Sequence, residues 1–392
     1  MSLLFRSRVR LVRMAQGLFL AAAGFGVAAG AQAQPQVSEY FVGTHVHDIG
    51  RNAPLPPDAV KAIRLWDSHV TWKDLEPQHG NWKFDELDRA VSRLTDTHRE
   101  ILLTLGLSPP WASSKPDEPS GYGPGNAAPP TKIEDWQDYV RRVAARYKGR
   151  VTHWEIWNEP NRPKFFSGSV QQLVALTCAA QKILKETDPA NMVISPSATD
   201  QQVGITWLGS FLDAGGAQCV DAVGFHFYVL AHEPPEAIVP LLTGMRDVMA
   251  RHQMQSVPLW DTEFGWYIKN GNVPNPIKYH QVEVQDAGNY LVRSWIIQAS
   301  WGVQRAYEYA WDDKQMGVLE PDTQQPKAFA SSFLTAEQWL SGARVSPCVQ
   351  RGTQWRCPVT LASGQHGVFW WTTDNRSPAP QLAANDAAIP SP

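Results

Sequence analysis

Short apolar runs alternate with longer amphipathic stretches from about residue 40 to residue 340 of this chain. Continuous apolar runs rich in Val, Ile and Trp are typical of buried strands, whereas apolar residues spaced three and four apart are typical of helices. The runs predict strands at Tyr40–Val46, Ala62–Trp66, Ile101–Leu107, Val151–Trp157, Met192–Ser195, Val220–Tyr228, Pro258–Thr262 and Val303–Trp311. The amphipathic stretches predict helices at Asp85–Thr97, Lys132–Tyr147, Val170–Glu186, Pro235–His252, Val282–Ser300 and Phe329–Leu340.

Strands that alternate with helices in this way predict a parallel sheet made of successive strand–helix units. Eight such strands over roughly 300 residues fit the size of a closed (β/α)8 barrel. An open doubly wound sheet is the alternative, but no Gly-x-Gly-x-x-Gly turn follows the first strand, so a dinucleotide site has no support. We therefore expect an α/β fold, a TIM barrel over residues 34–342.

The pattern changes after residue 342 to short alternating runs, which predict a small β appendage over residues 343–376. Residues 377–392 are rich in Ala and Pro, and we expect a disordered tail there. Stretches rich in Pro and Gly at Ser108–Pro130 and Lys269–Ile277 follow the third and seventh strands. In a barrel these stretches are loops on the C-terminal face, where active sites are assembled.

The first 33 residues have the pattern of a secretory signal peptide. Four arginines precede the apolar run Gly17–Ala29, and Ala31-Gln32-Ala33 supplies the small residues of a cleavage site. We expect cleavage after Ala33 and export to the periplasm or the extracellular space. No later apolar run is long enough to cross a bilayer, so we expect no membrane insertion once the signal is removed.

Removal of that segment takes away four arginines and no acids, so the formal net charge moves from −3 to −7. An acidic chain without a basic stripe is a poor candidate for binding nucleic acid or an anionic membrane. Cysteines in an exported chain suggest disulfides, and Cys348 and Cys357 flank a short turn that favours a bridge. The pairing of Cys178 and Cys219 stays open. No Cys/His spacing matches a zinc site, so we expect no metal.

Two glutamates stand at the C-terminal ends of predicted strands. Glu159 ends the fourth strand in His153–Asn161, and Glu263 ends the seventh in Trp260–Trp266. Strands four and seven lie across a barrel mouth from each other, so both carboxylates can face one substrate. A proton donor and a second, ionised carboxylate are the equipment for cleaving a glycosidic bond. The alternative, two ordinary surface acids at loop starts, is weakened by the aromatic and polar residues around both.

The segment Trp154–Asn161 resembles the acid/base strand of clan A glycoside hydrolases, in particular family 39 and its exopolysaccharide-degrading relatives. The Asn-Glu pair of that clan matches Asn158 and Glu159, and its second glutamate matches Glu263. Leu75–Asp88 is similar to the clan's segment after strand two. The resemblance implies a retaining double displacement, with Glu159 as acid/base and Glu263 as nucleophile. It also implies that Asn158 holds the sugar 2-hydroxyl, which requires a bend at the strand end, because strict alternation puts Asn158 and Glu159 on opposite faces.

Other residues are expected at the site with less specific signals. Gly224–Tyr228 resembles the clan segment near the nucleophile, so Tyr228 or His226 is expected to hydrogen-bond Glu263; a strand histidine is as often an ordinary core residue. Arg64 matches a clan arginine that neutralises charge near the nucleophile, with an internal salt bridge as the alternative. His45, on strand one, is a further candidate for substrate contacts.

Tryptophan is abundant, with 17 residues, and flat aromatic side chains suit the apolar faces of sugar rings. We expect Trp311 and Trp111 to contact substrate and many others to pack in the core. The whole pattern predicts a retaining β-glycosidase that acts on a β-linked polysaccharide or oligosaccharide. A bacterial exopolysaccharide is the preferred example of such a substrate. The reaction is expected to need no cofactor. The alternatives are an inverting or exo-acting glycosidase on small glycosides, and a barrel that binds glycan without cleaving it. The oligomeric state stays open.

Overall fold

The computed structural model describes residues 35–270, 280–373 and 379–389. The expected signal segment, residues 1–33, lies outside these ranges. The same holds for residues 271–277 of the second loop stretch and for residues 377–378 and 390–392 of the expected tail. The described residues belong to one compact unit. Their helices include none long and apolar enough to cross a membrane.

Eight parallel strands of the described chain form the main sheet. They are β1 Val42–His45, β2 Ala62–Leu65, β3 Glu100–Leu105, β4 His153–Ile156, β5 Met192–Ile194, β6 Val223–Phe225, β7 Leu259–Phe264 and β8 Val303–Glu308. The strand order is β5-β4-β3-β2-β1-β8-β7-β6, and parallel bridges between Ile194 and Ala222 and between Ala198 and Phe225 join the two outer strands. The predicted (β/α)8 barrel is therefore confirmed.

Helices lie between the strands and cover the outside of the sheet. They are α1 Trp72–Leu75, α2 Asp85–Asp96, α3 Ile133–Arg146, α4 Val170–Thr187, α5 Gln201–Asp213, α6 Ile238–Arg251, α7 Val284–Ser300 and α8 Ser331–Leu340. In α2, for example, Leu87, Ala90, Val91 and Leu94 are buried, which is the spacing of one helix face. Ser169 and Gln172 form a capping box that begins α4.

Helix α5 was not predicted from the sequence. Asp200, which precedes the helix, and Gln201, its first residue, both have left-handed backbone angles, with φ of 67° and 53°. Gly204 and Gly209 lie inside it and lower its intrinsic helix propensity. A Cβ on Gly204 would lie 1.9 Å from the carbonyl oxygen of Thr199, so close packing requires the glycine. Tertiary packing rather than local propensity therefore sets this helix.

Side chains fill the barrel, as the fold requires. Ala62, Leu102, Ile194, Ala222, Trp260 and Tyr307 form an apolar cluster inside the strands. A second, larger cluster packs between the strands and the helices. The inside of the barrel is thus a packed core below the C-terminal ends of the strands, and polar groups begin above it.

A second, antiparallel sheet follows the barrel. Its strands are β9 Arg344–Val345, β10 Val349–Arg351, β11 Gln354–Thr360, β12 His366–Thr372 and β13 Gln381–Ala383. Strand β13 pairs with β12 through Val368–Ala383, Phe369–Leu382 and Trp370–Gln381. The expectation of disorder from residue 377 is therefore wrong for these residues. Three residues suffice to extend an existing sheet edge, which composition alone does not reveal.

The four cysteines form two disulfides. Cys348 and Cys357 are joined across the β10–β11 hairpin, as predicted from their spacing. Cys178, in α4, is joined to Cys219, just before β6. The second bridge links two successive strand–helix units of the barrel.

Candidate active site

The chain bends where β4 ends. Trp157 and Glu159 have left-handed backbone angles, with φ of 65° and 44°, which cost about 1 kcal/mol or more each in a non-glycine residue. These two reversals interrupt the alternation that would otherwise put Asn158 and Glu159 on opposite faces. Both side chains consequently line the same cavity. The bend that the sequence required is present.

The cavity has a volume of about 490 Å³ and lies at the C-terminal end of the barrel strands. Asn158, Glu159, Tyr228 and Glu263 line it, as expected for the four residues. The two glutamates are nearly buried, with exposed fractions of 6% and 7%.

The two carboxylates approach each other closely. An oxygen of Glu159, a ring nitrogen of His226 and an oxygen of Glu263 all lie within 4.8 Å of one another. Retaining glycosidases place their carboxyl groups about 5 to 5.5 Å apart, whereas inverting enzymes leave about 6.5 to 9.5 Å for a water molecule. A closest approach of at most 4.8 Å between single oxygens of the two carboxylates is compatible with the shorter separation.

Arg64 lies beneath the cavity floor and is completely buried. Its Nη1 donates to Glu263 Oε2 at 2.9 Å, and its Nη2 donates to Asn158 Oδ1 at 2.7 Å. Its Nε donates to Glu155 Oε2 at 2.7 Å. Arg64 therefore serves both expected purposes, since one guanidinium neutralises charge beside Glu263 and forms an internal salt bridge with Glu155. A buried arginine that binds three acceptors at once holds them in fixed positions.

Two residues from the end of β6 contact the glutamates. The Tyr228 hydroxyl donates to Glu263 Oε1 at 2.9 Å. His226 Nδ1 lies 3.1 Å from Glu159 Oε1, and its Nε2 lies 3.8 Å from Glu263 Oε2. Of the two candidates for a hydrogen bond to Glu263, Tyr228 makes it. His226 bridges the carboxylates instead.

These three ionisable groups titrate together because His226 touches both carboxylates. Burial raises the pKa of Glu263 above the ordinary glutamate value, and His226 and Arg64 reduce that rise. Burial also acts to raise the pKa of Glu159, but the hydrogen bond and charge of His226, with Arg162, outweigh it and leave the pKa lowered. Burial lowers the pKa of His226, whereas Glu263 and Glu159 raise it, and the net direction is upward.

If the two pKa shifts are considered separately, Glu263 takes up a proton before Glu159 as the pH falls. A proton donor at Glu159 needs the reverse order. The hydrogen bonds argue otherwise, because Arg64 and Tyr228 both donate to Glu263 and stabilise its ionised form. Among the three groups, His226 is then the one whose raised pKa favours a proton next to Glu159. Its Nδ1 lies next to Glu159, so the proton is within reach of that carboxylate.

A pair of charged residues flanks Glu159 in the loops after β4 and β5. Arg162 makes a two-pronged contact with Asp200, with Nε donating to Asp200 Oδ2 at 2.7 Å. Its Nη1 lies 3.4 Å from Glu159 Oε2. Asn161 joins the same two loops, because its Nδ2 donates to the carbonyl of Thr199 and its Oδ1 accepts from the Thr199 N–H. Glu159 is thus held by contacts on both of its oxygens.

Glu159, His226 and Glu263 are also the group among the described residues whose ligand atoms come close enough to hold a metal ion. Both ring nitrogens of His226 face carboxylate oxygens. Arg64 places a guanidinium 2.9 Å from Glu263 Oε2, so a cation there would meet a fixed positive charge. This set of contacts suits proton sharing better than metal coordination.

Three residues expected to contact substrate, Trp311, Trp111 and His45, lie outside the cavity lining. The two tryptophans pack against other aromatic rings. Trp311 is buried against Phe333 in the layer between sheet and helices, with ring centroids 5.7 Å apart. Trp111 packs edge-on against Trp72, and its Nε1 donates to the carbonyl of Glu76 at 2.8 Å. Neither belongs to the cavity lining. Aromatic packing and a backbone acceptor hold these rings against the protein.

His45 lies inside the barrel, beneath the cavity. Its Nε2 is 3.1 Å from the carbonyl oxygen of Thr262. Burial and the charge of Arg64 lower the pKa of His45 well below its ordinary value, so the ring is neutral and Nε2–H donates to that carbonyl. His45 supports the strand that carries Glu263 and does not line the cavity.

Sequence reasoning missed several residues that line the cavity. They are Asp67, Tyr122, Arg162, Asp200 and Tyr309, each in a loop that follows a barrel strand. Single polar or aromatic residues in loops carry no periodic signal. For Asp67, Tyr122, Arg162 and Asp200 the one available indication was a position after a predicted strand, whereas Tyr309 fell inside the predicted strand Val303–Trp311, which ends at Glu308 in the structure. Trp266, which follows Glu263, lines the cavity.

Comparison with known protein families gives one match that covers half of the chain. The family described as Glycosyl hydrolases family 39 matches residues 61–256. A β-xylosidase of Caldicellulosiruptor saccharolyticus is 28% identical over 171 residues, which are 40% of this chain and 34% of that enzyme. A β-xylosidase of Geobacillus stearothermophilus is 25% identical over 211 residues, or 47% and 41% of the two chains. The chain thus spans well under half the length of these relatives.

Solved structures show the same fold. A family 39 glycoside hydrolase from Bacteroides cellulosilyticus superimposes with a TM-score of 0.64 at 17% identity and covers 87% of this chain and 73% of its own. A family 39 enzyme from Xanthomonas axonopodis pv. citri gives a TM-score of 0.59 at 20% identity, with coverage of 84% and 73%. At these identities the likeness concerns the fold.

Proposed function

The chain belongs to family 39 of the glycosyl hydrolases, and from that premise we propose that it is a retaining β-glycosidase acting on β-linked polysaccharide or oligosaccharide. Glu159 is the acid/base and Glu263 is the nucleophile. The observation that carries the proposal is the convergence of these two glutamates, from β4 and β7, to within 4.8 Å over one cavity. The reaction needs two carboxyl groups and no cofactor.

In the first step, an oxygen of Glu263 attacks the anomeric carbon while the bond to the leaving oxygen breaks. Glu159 gives its proton to that oxygen. In the second step, Glu159 takes a proton from water, the resulting hydroxide oxygen bonds to the anomeric carbon, and the bond to Glu263 breaks. The sugar configuration is inverted twice and is therefore retained.

The surroundings of each glutamate support its part in these steps. Arg64 and Tyr228 donate to Glu263, which favours the ionised form that attacks. His226 lies against Glu159 and can share a proton with it. Asn158, fixed by Arg64, presents its amide to the cavity, where it is placed to donate from Nδ2 to a sugar hydroxyl.

The substrate class is the finer part of the proposal. The relatives with matching sequence include β-xylosidases and endo-1,4-β-xylanases, which supports a xylo- or gluco-configured sugar. An exopolysaccharide is our preferred polymer because of the motif resemblance around Glu159. Export of the protein after cleavage at Ala33 fits such a substrate, and two disulfides are typical of an oxidising compartment. Mass measurement of the secreted chain tests the cleavage site.

Product stereochemistry tests the mechanism. The purified protein is incubated with aryl β-glycosides and with defined β-linked oligosaccharides, and proton NMR records the anomer that appears first. We expect the β-anomer. An α-anomer would mean inversion and would remove Glu263 from the role of nucleophile.

Chemical rescue separates the two glutamates. With azide present, Glu159→Ala should yield a β-glycosyl azide, because the glycosyl-enzyme on Glu263 still forms. Glu263→Ala should yield an α-glycosyl azide, because azide attacks directly in place of the carboxylate. Binding of oligosaccharides without turnover of any of them would instead support a barrel that only binds glycan.

A further inference from the structure

Two carboxylates in the cavity have no part in the double displacement, and one of them, Asp200, is paired with Arg162. Asp67 follows β2, is half-buried and lines the cavity. The Tyr309 hydroxyl donates to its Oδ2 at 2.9 Å. This is the hydrogen bond that its side chain makes within the described residues, so Oδ1 has no donor there. Burial raises the pKa of Asp67, and His47, the Tyr309 hydrogen bond and Arg64 reduce that rise.

Asp67 lies on the side of the cavity where the retained sugar must sit. Strands β2 and β8, which precede Asp67 and Tyr309, flank β1. Strand β4, which carries the proton donor, lies half-way around the barrel from β8. The leaving group must be next to Glu159 to receive its proton. The sugar that bonds to Glu263 therefore extends away from β4, toward Asp67 and Tyr309.

The charged groups of the cavity are mostly negative. Its lining contains the carboxylates of Asp67, Glu159, Asp200 and Glu263 and one cationic side chain, Arg162. Arg162 already binds Asp200 and Glu159. Arg64, below the floor, is engaged with Glu155 and Glu263. A carboxylate on the substrate would thus meet like charge on the Asp67 side, and such a juxtaposition opposes binding.

A neutral sugar with neighbouring hydroxyl groups is instead attracted to Asp67. A carboxylate accepts hydrogen bonds at both oxygens, and hydroxyl groups can donate to each of them. The Tyr309 hydroxyl donates to Oδ2, which leaves Oδ1 available to a donor from the ligand. A polar group that is buried in the complex and paired only by the correct substrate gives strong discrimination, because any other substrate leaves it unpaired.

We propose that Asp67 determines glycone specificity: it binds the hydroxyl groups of a neutral sugar in the subsite of Glu263 and excludes uronic acids. The proposal rests on the glycosidase function proposed above and names the substrate class of the same site. Tyr309 positions Asp67 for this contact.

Three aryl glycosides that differ at one group test the proposal. They are 4-nitrophenyl β-D-glucoside, the corresponding β-D-glucuronide and the methyl ester of that glucuronide. We expect wild-type kcat/KM for the glucuronide to be at least about 100-fold below that for the glucoside, and the neutral ester to recover about tenfold or more of the difference. In Asp67→Asn, kcat/KM for the glucoside falls about 100-fold, and the glucoside-to-glucuronide ratio narrows about tenfold, since the repelling charge is gone.

The ratio is the decisive readout, because a merely structural defect lowers all three rates together. Asp247→Asn is the matched control: it removes one negative charge from an exposed position on α6 and should leave every ratio unchanged. Thermal unfolding of each variant verifies that it is folded.

Equal wild-type turnover of glucoside and glucuronide, or an unchanged ratio in folded Asp67→Asn, would overturn the role of Asp67 while leaving the glycosidase intact. If the wild type cleaves oligosaccharides alone, the same pair is compared with a glucosyl or a glucuronyl residue at the cleaved bond. Cleavage of a β-xyloside without cleavage of the glucoside would also overturn the role of Asp67, because the C5 substituent would then be excluded whatever its charge. Failure to cleave any glycoside would overturn the proposed function itself.

Discussion

The barrel has an arginine–glutamate contact at each end, partly buried at the N-terminal end of the strands and buried at the C-terminal end. The two contacts differ in the ratio of positive to negative groups. At the N-terminal end of the strands, Arg305 donates to both oxygens of Glu100 at 2.7 and 2.9 Å. The guanidinium also lies over the ring of Trp260, at 5.2 Å from its centroid. One positive and one negative group are matched there, in a fixed geometry.

At the C-terminal end, one arginine is shared. Arg64 serves Glu155, Glu263 and Asn158 together, and Glu159 lies nearby with His226. Carboxylates outnumber the cations, and a cavity gives substrate access to them. The same type of ion pair is structural where charges are matched and enclosed. It becomes reactive where negative charge is in excess and open to a ligand.

The largest expected effect is on kcat, and it comes from replacing one glutamate at each end of the barrel. Glu263→Gln should lower kcat at least about 10⁴-fold, because an amide cannot attack the anomeric carbon. Glu100→Gln makes the same chemical change at the other end and should leave kcat unchanged while lowering stability. Initial rates on an aryl β-glycoside and denaturant unfolding measure both. Comparable losses of kcat in the two variants would contradict the division between the ends.

Removal of the proton donor should have a smaller effect that depends on the leaving group. Glu159→Gln should lower kcat about 10²- to 10⁴-fold for a substrate with a poor leaving group, since general acid catalysis is lost. Much less should be lost with 2,4-dinitrophenyl glycosides, whose leaving group needs no proton. Rates across a series of phenols of increasing acidity measure the difference. A uniform loss would mean that Glu159 is not the acid.

The two arginines provide the next comparison. Arg64→Met leaves a buried glutamate without its cation, and Arg305→Met leaves a partly buried one; each should lower the free energy of unfolding by about 3 kcal/mol. Only Arg64→Met should also lower kcat of the folded protein, by about 100-fold, because Glu263 and Asn158 lose their fixed positions. Urea titrations and rates on the same preparations test this. A loss of kcat in Arg305→Met would show that the two ends are coupled.

The smallest effect concerns Asp261, which lies on β7 between the two ends. Burial raises its pKa to about 8, although the N–H groups of Phe227 and Glu263 donate to it. An unfolded aspartate titrates near pH 4, so from about pH 4 to pH 8 the folded state holds a proton that the unfolded state has lost. Stability from this group is therefore present below pH 4 and is lost as the pH rises to 8.

Asp261→Asn should remove that dependence. The amide oxygen can accept the same two N–H groups, and no proton is linked to folding. Between pH 5 and pH 8 the wild type should lose about 3 kcal/mol more stability than the variant. Denaturant unfolding at the two pH values measures this. Parallel losses in both proteins would mean that Asp261 is ionised when folded.

The sequence predicted the barrel and its two glutamates because both leave strong local signals. Apolar runs mark strands, and Glu159 and Glu263 each stand at the end of one. The same reasoning misplaced Trp311 and Trp111, since a tryptophan near a strand end can turn toward the helices as easily as toward the cavity. Asp67 and Tyr309 were missed because they meet only when the loops after β2 and β8 are folded side by side.

The short strand β13 has a practical consequence for handling this protein. A truncation chosen from the Ala- and Pro-rich composition would end the chain before Gln381. It would remove β13, which pairs with the edge of β12. The freed edge would offer unpaired N–H and C=O groups to neighbouring molecules, which is a template for aggregation. Expression plasmids should therefore keep residues 381–383 and join any purification tag beyond them through a flexible spacer.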